Sequence, residues 1–111
     1  MMSELTFIGT ATAKTGHADE LEGEMQSTVA ATHAETGCIR YSMHKSLEDP
    51  NVFVFIERWA SKDDLDRHMG FDHVKSLIAR TQSIMDGMPT MQMFAMVDVS
   101  ESNKKKSAFS S

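Results

Sequence analysis

The sequence has 111 residues, 41% of them hydrophobic, and a formal net charge of −5; that length suits one domain and leaves little room for a second. Lys104, Lys105 and Lys106 face only Glu101 in the last eleven residues, so the first hundred carry −7, and the chain lacks the clustered Lys and Arg on which binding to nucleic acid or an anionic membrane depends. Cys38 is the single cysteine and has no intramolecular partner; no stretch reaches transmembrane length or opens the chain as a signal segment, so the expected location is the cytoplasm.

Residues 5–13, LTFIGTATA, alternate and are rich in β-branched side chains, which predicts a first strand. Thr15-Gly16 breaks it. Between 18 and 35 the period changes: Ala18, Leu21, Met25, Val29 and Thr32 recur at helical spacing, with Asp19, Glu20, Glu22 and Glu24 placed early, where the helix dipole favours acids. Gly37 stands where a helix-ending glycine belongs. Residues 38–47, CIRYSMHKSL, read as a second strand, Glu48-Asp49-Pro50-Asn51 as a turn, and 52–60 as a third strand closing a hairpin. Ser61 with Asp64 three residues on resembles a capping box and predicts a helix over 62–69. Gly70 interrupts it. A second amphipathic run, 71–85, carries Phe71, Val74, Leu77, Ile78, Thr81 and Met85 on one stripe. Gly87-Met88-Pro89 ends it, and 90–99, TMQMFAMVDV, is a fourth strand. The ten methionines read as flexible core filler. Residues 1–100 thus form one domain, and the Ser/Lys-rich 101–111 are expected to be a flexible tail.

The order strand, helix, two strands, two helices, strand matches the α+β, ferredoxin-like split βαβ arrangement with a four-stranded antiparallel sheet. Helices then cover one face of the sheet only. Yet residues 51–59, NVFVFIERW, set Phe53, Phe55, Glu57 and Trp59 on one face and Val52, Val54 and Ile56 on the other. A sheet wet on one side should alternate. Two apolar faces predict a homodimer in which a second copy covers what the helices leave bare, each large side chain so buried being worth about 1.5–3 kcal/mol before association costs.

The string ETGCIRY (35–41), DP (49–50), FVFIERW (53–59) and the helix LDRHM, followed by His73, resembles the antibiotic biosynthesis monooxygenase family. The resemblance spans about residues 3–99, and the ordered string marks the family more closely than any one reaction. It implies a dimeric α+β barrel and, for the quinol- and anthrone-oxidising members, oxygenation without a cofactor. One departure is plain: where relatives open the last helix with Ser-Pro-His, this chain has Phe71-Asp72-His73.

The candidate residues follow from their chemistry. Glu57 is a structural acid paired with Arg40 or Arg58, a site acid whose pKa burial would raise, or an acid reaching solvent at the sheet edge. His68 shares a helix side with Leu65 and Met69; it is a satisfied core residue or a base that takes a proton near neutrality. Tyr41 and Trp59 belong to the core or to a flat aromatic pocket, with Phe55 beside them. Arg40 binds an oxyanion or pairs with Glu57. His33 and His44 read as surface residues, His17 as sitting near a helix start, and Cys38 as a small filler without an activating neighbour.

No H-x-x-x-H or H-E-x-x-H spacing occurs, so no metal is expected. No G-x-G-x-x-G or P-loop occurs either, so no nucleotide or flavin cofactor is expected. The resemblance then implies His68 as base, Glu57 orienting it or sharing its proton, Tyr41 and Arg40 as anion donors, and Trp59, Phe55 and His73 around a small aromatic substrate. Three other readings compete: an isomerase or signal-molecule-degrading enzyme of the same fold, a haem-degrading oxygenase (disfavoured because 5–13 lacks Asn), and a non-catalytic small-molecule-binding dimer.

Overall fold

The computed structural model describes residues 3–97. Strand β1 (Leu5–Thr12) leads to helices α1 (Ala18–Gln26) and α2 (Val29–His33). The hairpin β2 (Cys38–Lys45) and β3 (Val52–Trp59) follows, then α3 (Lys62–Met69), α4 (Asp72–Thr81) and β4 (Thr90–Ala95). The strands make one antiparallel sheet in the order β2-β3-β1-β4. This is the ferredoxin-like arrangement expected from the element order. The expected tail and the last two residues of the expected fourth strand lie outside the described residues.

Two expected helices are shorter than their periodicity suggests. The run over 18–35 breaks at Ser27-Thr28, where Ser27 Oγ donates to the Glu24 carbonyl and Thr28 Oγ1 to that of Met25. Side chains that bond back to their own turn offer the backbone an alternative to continuing the helix. The run over 71–85 stops at Thr81, because the following residues are tied to the end of β1: Asp86 N–H donates to the Thr12 carbonyl at 2.7 Å, and Met85 bridges Ala13. Helix α3 begins and ends where Ser61 and Gly70 predict. Ser61 Oγ accepts from the Asp64 N–H, and in return donates to Asp64 Oδ2 at 2.8 Å, so the shorter Asp closes the box on the hydroxyl.

Strand β3 sits between β1 and β2, and its burial alternates along its whole length: Phe53, Phe55, Glu57 and Trp59 are buried under the helices, while Val52, Val54 and Ile56 are half-buried on the outer face. Phe53, Trp59 and Leu21 are the largest fully enclosed apolar side chains, each worth about 1.5–3 kcal/mol in transfer from water. A register shift between Cys38 and Arg40 lets Cys38 and Tyr41 both face inward, opposite Trp59 and Glu57. Such a bulge re-aims side chains at a strand end. Strand β4 is exposed throughout, including Met91, Met93 and Phe94.

Candidate functional site

The turn between α2 and β2 places the first site residue. Gly37 has φ +85°, a left-handed conformation that suits glycine, and a Cβ there would lie 2.2 Å from the Asp64 side chain. This turn docks on the end of β3, where the Ala60 N–H donates to the Gly37 carbonyl at 2.8 Å. Glu35 is thereby carried under the sheet with its side chain buried.

Helix α3 brings His68 to meet it. His68 Nδ1 lies 2.8 Å from Glu35 Oε2, and His73, in the first turn of α4, brings Nε2 to 2.8 Å from the same oxygen. A carboxylate oxygen accepts, so both imidazoles donate, which fixes the His68 proton on Nδ1 and turns the Nε2 lone pair the other way. His68 Nε2 faces Glu57 Oε1 at 4.0 Å. Glu57 is also buried, and its Oε1 accepts from Trp59 Nε1–H at 2.9 Å. The order across the site is therefore His73, Glu35, His68, Glu57, Trp59.

Burial sets the electrostatics. Loss of water pushes the Glu57 carboxyl up to about 7; the Trp59 hydrogen bond opposes this and the Glu35 charge adds to it. Burial lowers the His68 imidazole below its ordinary value, against the upward pull of the Glu35 hydrogen bond and charge. Near neutrality His68 is thus an uncharged imidazole with a free lone pair, and Glu57 is divided between acid and carboxylate. Burial also raises the Tyr41 phenol, which stays protonated. The Cys38 thiol is raised by burial and by Glu35 and Glu57, as a filler rather than a nucleophile would be.

A cavity of about 240 Å³ opens between the sheet and the helices. Tyr41, Phe55, Glu57 and His68 line it among apolar side chains such as Phe7, Met25 and Leu77. Tyr41 packs against Phe55 with ring centres 4.7 Å apart and against His68 at 5.7 Å.

The sequence-derived candidates do not all meet. Glu57, His68, Tyr41 and Phe55 share the cavity. Trp59 does not line it: fully enclosed, it stacks behind His68 at 4.7 Å. His73 sits on the far side of Glu35, with Phe71 stacked on it at 5.7 Å in place of a capping serine. Arg40 is exposed, pairs across the sheet with Arg58 on the outer face and donates to Ser42 Oγ. The expected alternative of an ion pair between Glu57 and Arg40 or Arg58 does not form, and Arg58 bonds Glu4 instead. The pattern reading missed Glu35, which supports His68 from 33 residues away. It also missed that Glu35, His68 and His73 bring three ligand-type atoms within 4.8 Å of one another. Motif spacing is blind to a cluster drawn from a turn and two helices.

The antibiotic biosynthesis monooxygenase family model matches residues 5–80. PA3566 from Pseudomonas aeruginosa is similar at 31% identity and a TM-score of 0.82, over 88% of this chain and 98% of that one. A crystal structure of an antibiotic biosynthesis monooxygenase is similar at 26% identity and 0.80, over 85% and 99%. Rv0793 from Mycobacterium tuberculosis, at 22% identity and 0.82 over 89% and 100%, shares the fold. No curated protein matches the chain.

Proposed function

The chain belongs to the antibiotic biosynthesis monooxygenase family, and from that premise we propose that it is a cofactor-independent monooxygenase of small aromatic quinols or anthrones. The observation that carries this reading is His68, held by Glu35 with its basic nitrogen at the wall of an apolar cavity beside Glu57. Triplet oxygen reacts slowly with closed-shell molecules, so the substrate itself must supply the first electron, and a phenol does so once deprotonated. His68 Nε2 takes the phenolic proton. The neighbouring Glu35 carboxylate stabilises the imidazolium that forms, while the apolar walls exclude water. Tyr41, still protonated, donates to the developing oxyanion. The electron-rich anion then reduces O₂, one oxygen atom enters the ring and the other leaves as water. The cavity is smaller than the usual range of about 300–1,000 Å³, which within this class favours one- or two-ring quinols over three-ring anthrones. The test is oxygen consumption under a panel of hydroquinones, naphthohydroquinones and anthrones. Uptake that is unchanged in His68→Ala removes the base assignment.

The partner in this reading is a second copy. Met91, Met93 and Phe94 on β4, with Met96 and Val97 beyond it, are exposed, and Met88 and Met91 also edge the cavity. A homodimer burying them would close the cavity mouth.

Isomerisation of a small carbonyl compound is the second reading, favoured by one observation: Glu57, at about 7, is poised to give as well as take a proton opposite His68. Product formation without oxygen uptake distinguishes it. Among the described residues no helix is long and apolar enough to cross a membrane.

A further inference from the structure

Glu35, His68 and His73 present one carboxylate oxygen and two imidazole nitrogens toward a common point. Among the described residues no other group of three His, Cys, Asp or Glu gathers so closely. Two imidazoles and a carboxylate with further positions open form the donor set that borderline divalent cations of the zinc and iron(II) kind take. The dimensions allow an ion. Ligands about 2.1 Å from such a cation stand about 3.0–3.4 Å from one another. Each nitrogen is now 2.8 Å from Glu35 Oε2 and the two nitrogens lie within 4.8 Å of each other, so entry requires the contacts to oxygen to open by a few tenths of an ångström and the two nitrogens to settle at about 3.0–3.4 Å. His73, a quarter exposed, provides the approach, while Glu35 and His68 are buried. A metal-bound histidine normally donates its other ring N–H to a carboxylate; Glu57 Oε1 faces His68 Nε2 at 4.0 Å, outside hydrogen-bond range, so the two must close by about 1 Å for that bond to form.

We propose that Glu35, His68 and His73 bind one divalent cation of the zinc class, and that its presence and the use of His68 as a base exclude one another. Without the cation, the one proton of neutral His68 is on Nδ1 and the lone pair is on Nε2. The cation takes the lone pair of Nδ1, so that proton moves to Nε2. His73 likewise moves its proton from Nε2 to Nδ1. The His68 ring loses no proton overall, yet it now turns a donor toward the cavity and can accept nothing. The exclusion rests on the proposed base role of His68; the binding does not.

The experiment is calorimetric titration of the full chain with Zn²⁺ alone in a non-chelating buffer, with ¹⁵N-histidine NMR alongside. The expected result is one ion per chain, an affinity weakened at least about tenfold to hundredfold by Glu35→Gln and by His73→Ala, and no change in His44→Ala. The NMR spectrum should show the His68 proton moving from Nδ1 to Nε2. Circular dichroism shows that each variant is folded. No saturable binding at micromolar Zn²⁺, or binding indifferent to both Glu35→Gln and His73→Ala, overturns the site. If a quinol is oxidised and stays oxidised at saturating Zn²⁺, the exclusion is overturned while the site stands. If no quinol is oxidised at all, the proposed function fails and the calorimetric result is untouched.

Discussion

His68 Nδ1 and Glu35 Oε2 meet at 2.8 Å between two buried side chains. That contact joins α3 to the turn before β2, and it decides which nitrogen of the imidazole is basic.

Glu35→Gln replaces an acceptor by a group that can turn its NH₂ toward His68 and hold the wrong tautomer. Turnover of any quinol that the wild type oxidises should fall about hundredfold or more, with KM little changed, since Glu35 does not line the cavity. Steady-state oxygen uptake measures the split, and ¹⁵N-histidine NMR reports the tautomer without substrate. A variant with unaltered turnover would remove Glu35 from the mechanism.

Burial of Glu57 gives stability a pH dependence whose sign follows from the direction of its shift. Its folded pKa, about 7, lies above its ordinary value of 4.5, so the folded state binds the proton more tightly. Its contribution to stability is complete below about 4.5 and is lost as pH rises through about 7, in total about 3 kcal/mol. His68, lowered by burial, works in the opposite sense, adding stability as pH rises through its ordinary value. The comparison that isolates Glu57 is therefore wild type against Glu57→Gln, whose amide oxygen still accepts from Trp59. Urea denaturation should show the variant gaining on the wild type from pH 5 to 8; a constant difference would contradict the assignment.

Gly37→Ala should cost about 2–4 kcal/mol, combining the left-handed backbone with displacement of Asp64 from the start of α3. Gly16→Ala is the control. Its φ is +86° but no atom lies within 4 Å of an added Cβ, so only the backbone cost of about 1–2 kcal/mol remains. Equal losses in the two would show that the Asp64 contact is unimportant.

Phe94→Glu puts a charge on the outer face of β4, where the proposed partner packs. Sedimentation should show a dimer for the wild type and at least tenfold weaker association for the variant, with the circular dichroism of the fold retained. A wild-type monomer at micromolar concentration would end the dimer proposal.

The parts of this architecture that were legible in the sequence are those governed by short-range rules. The parity of Phe53, Phe55, Glu57 and Trp59 follows from the two-residue repeat of a strand, and β3 keeps it throughout. Ser61 and Gly70 bound α3 as capping chemistry requires. What was hidden depends on breaks in these repeats or on distance. Ser27 and Thr28 end a helix through hydroxyl bonds that no apolar period reveals. The bulge after Cys38 turns Tyr41 inward and leaves Arg40 outside. Glu35 and His73 are 38 residues apart and meet because Gly37 folds its turn onto β3; the signal available was the glutamate in ETGC, two residues before a glycine at which an added Cβ would meet Asp64.

Trp59 is the sole indole in the chain, enclosed, bonded to Glu57 and 4.7 Å from the His68 ring. A fluorophore is thus built in beside both ionisable groups to which the proposed chemistry is assigned. Its emission should follow the charge of His68, because imidazolium quenches indole at contact, so a pH titration of fluorescence reports on the site in the native chain without a label and before any substrate is known.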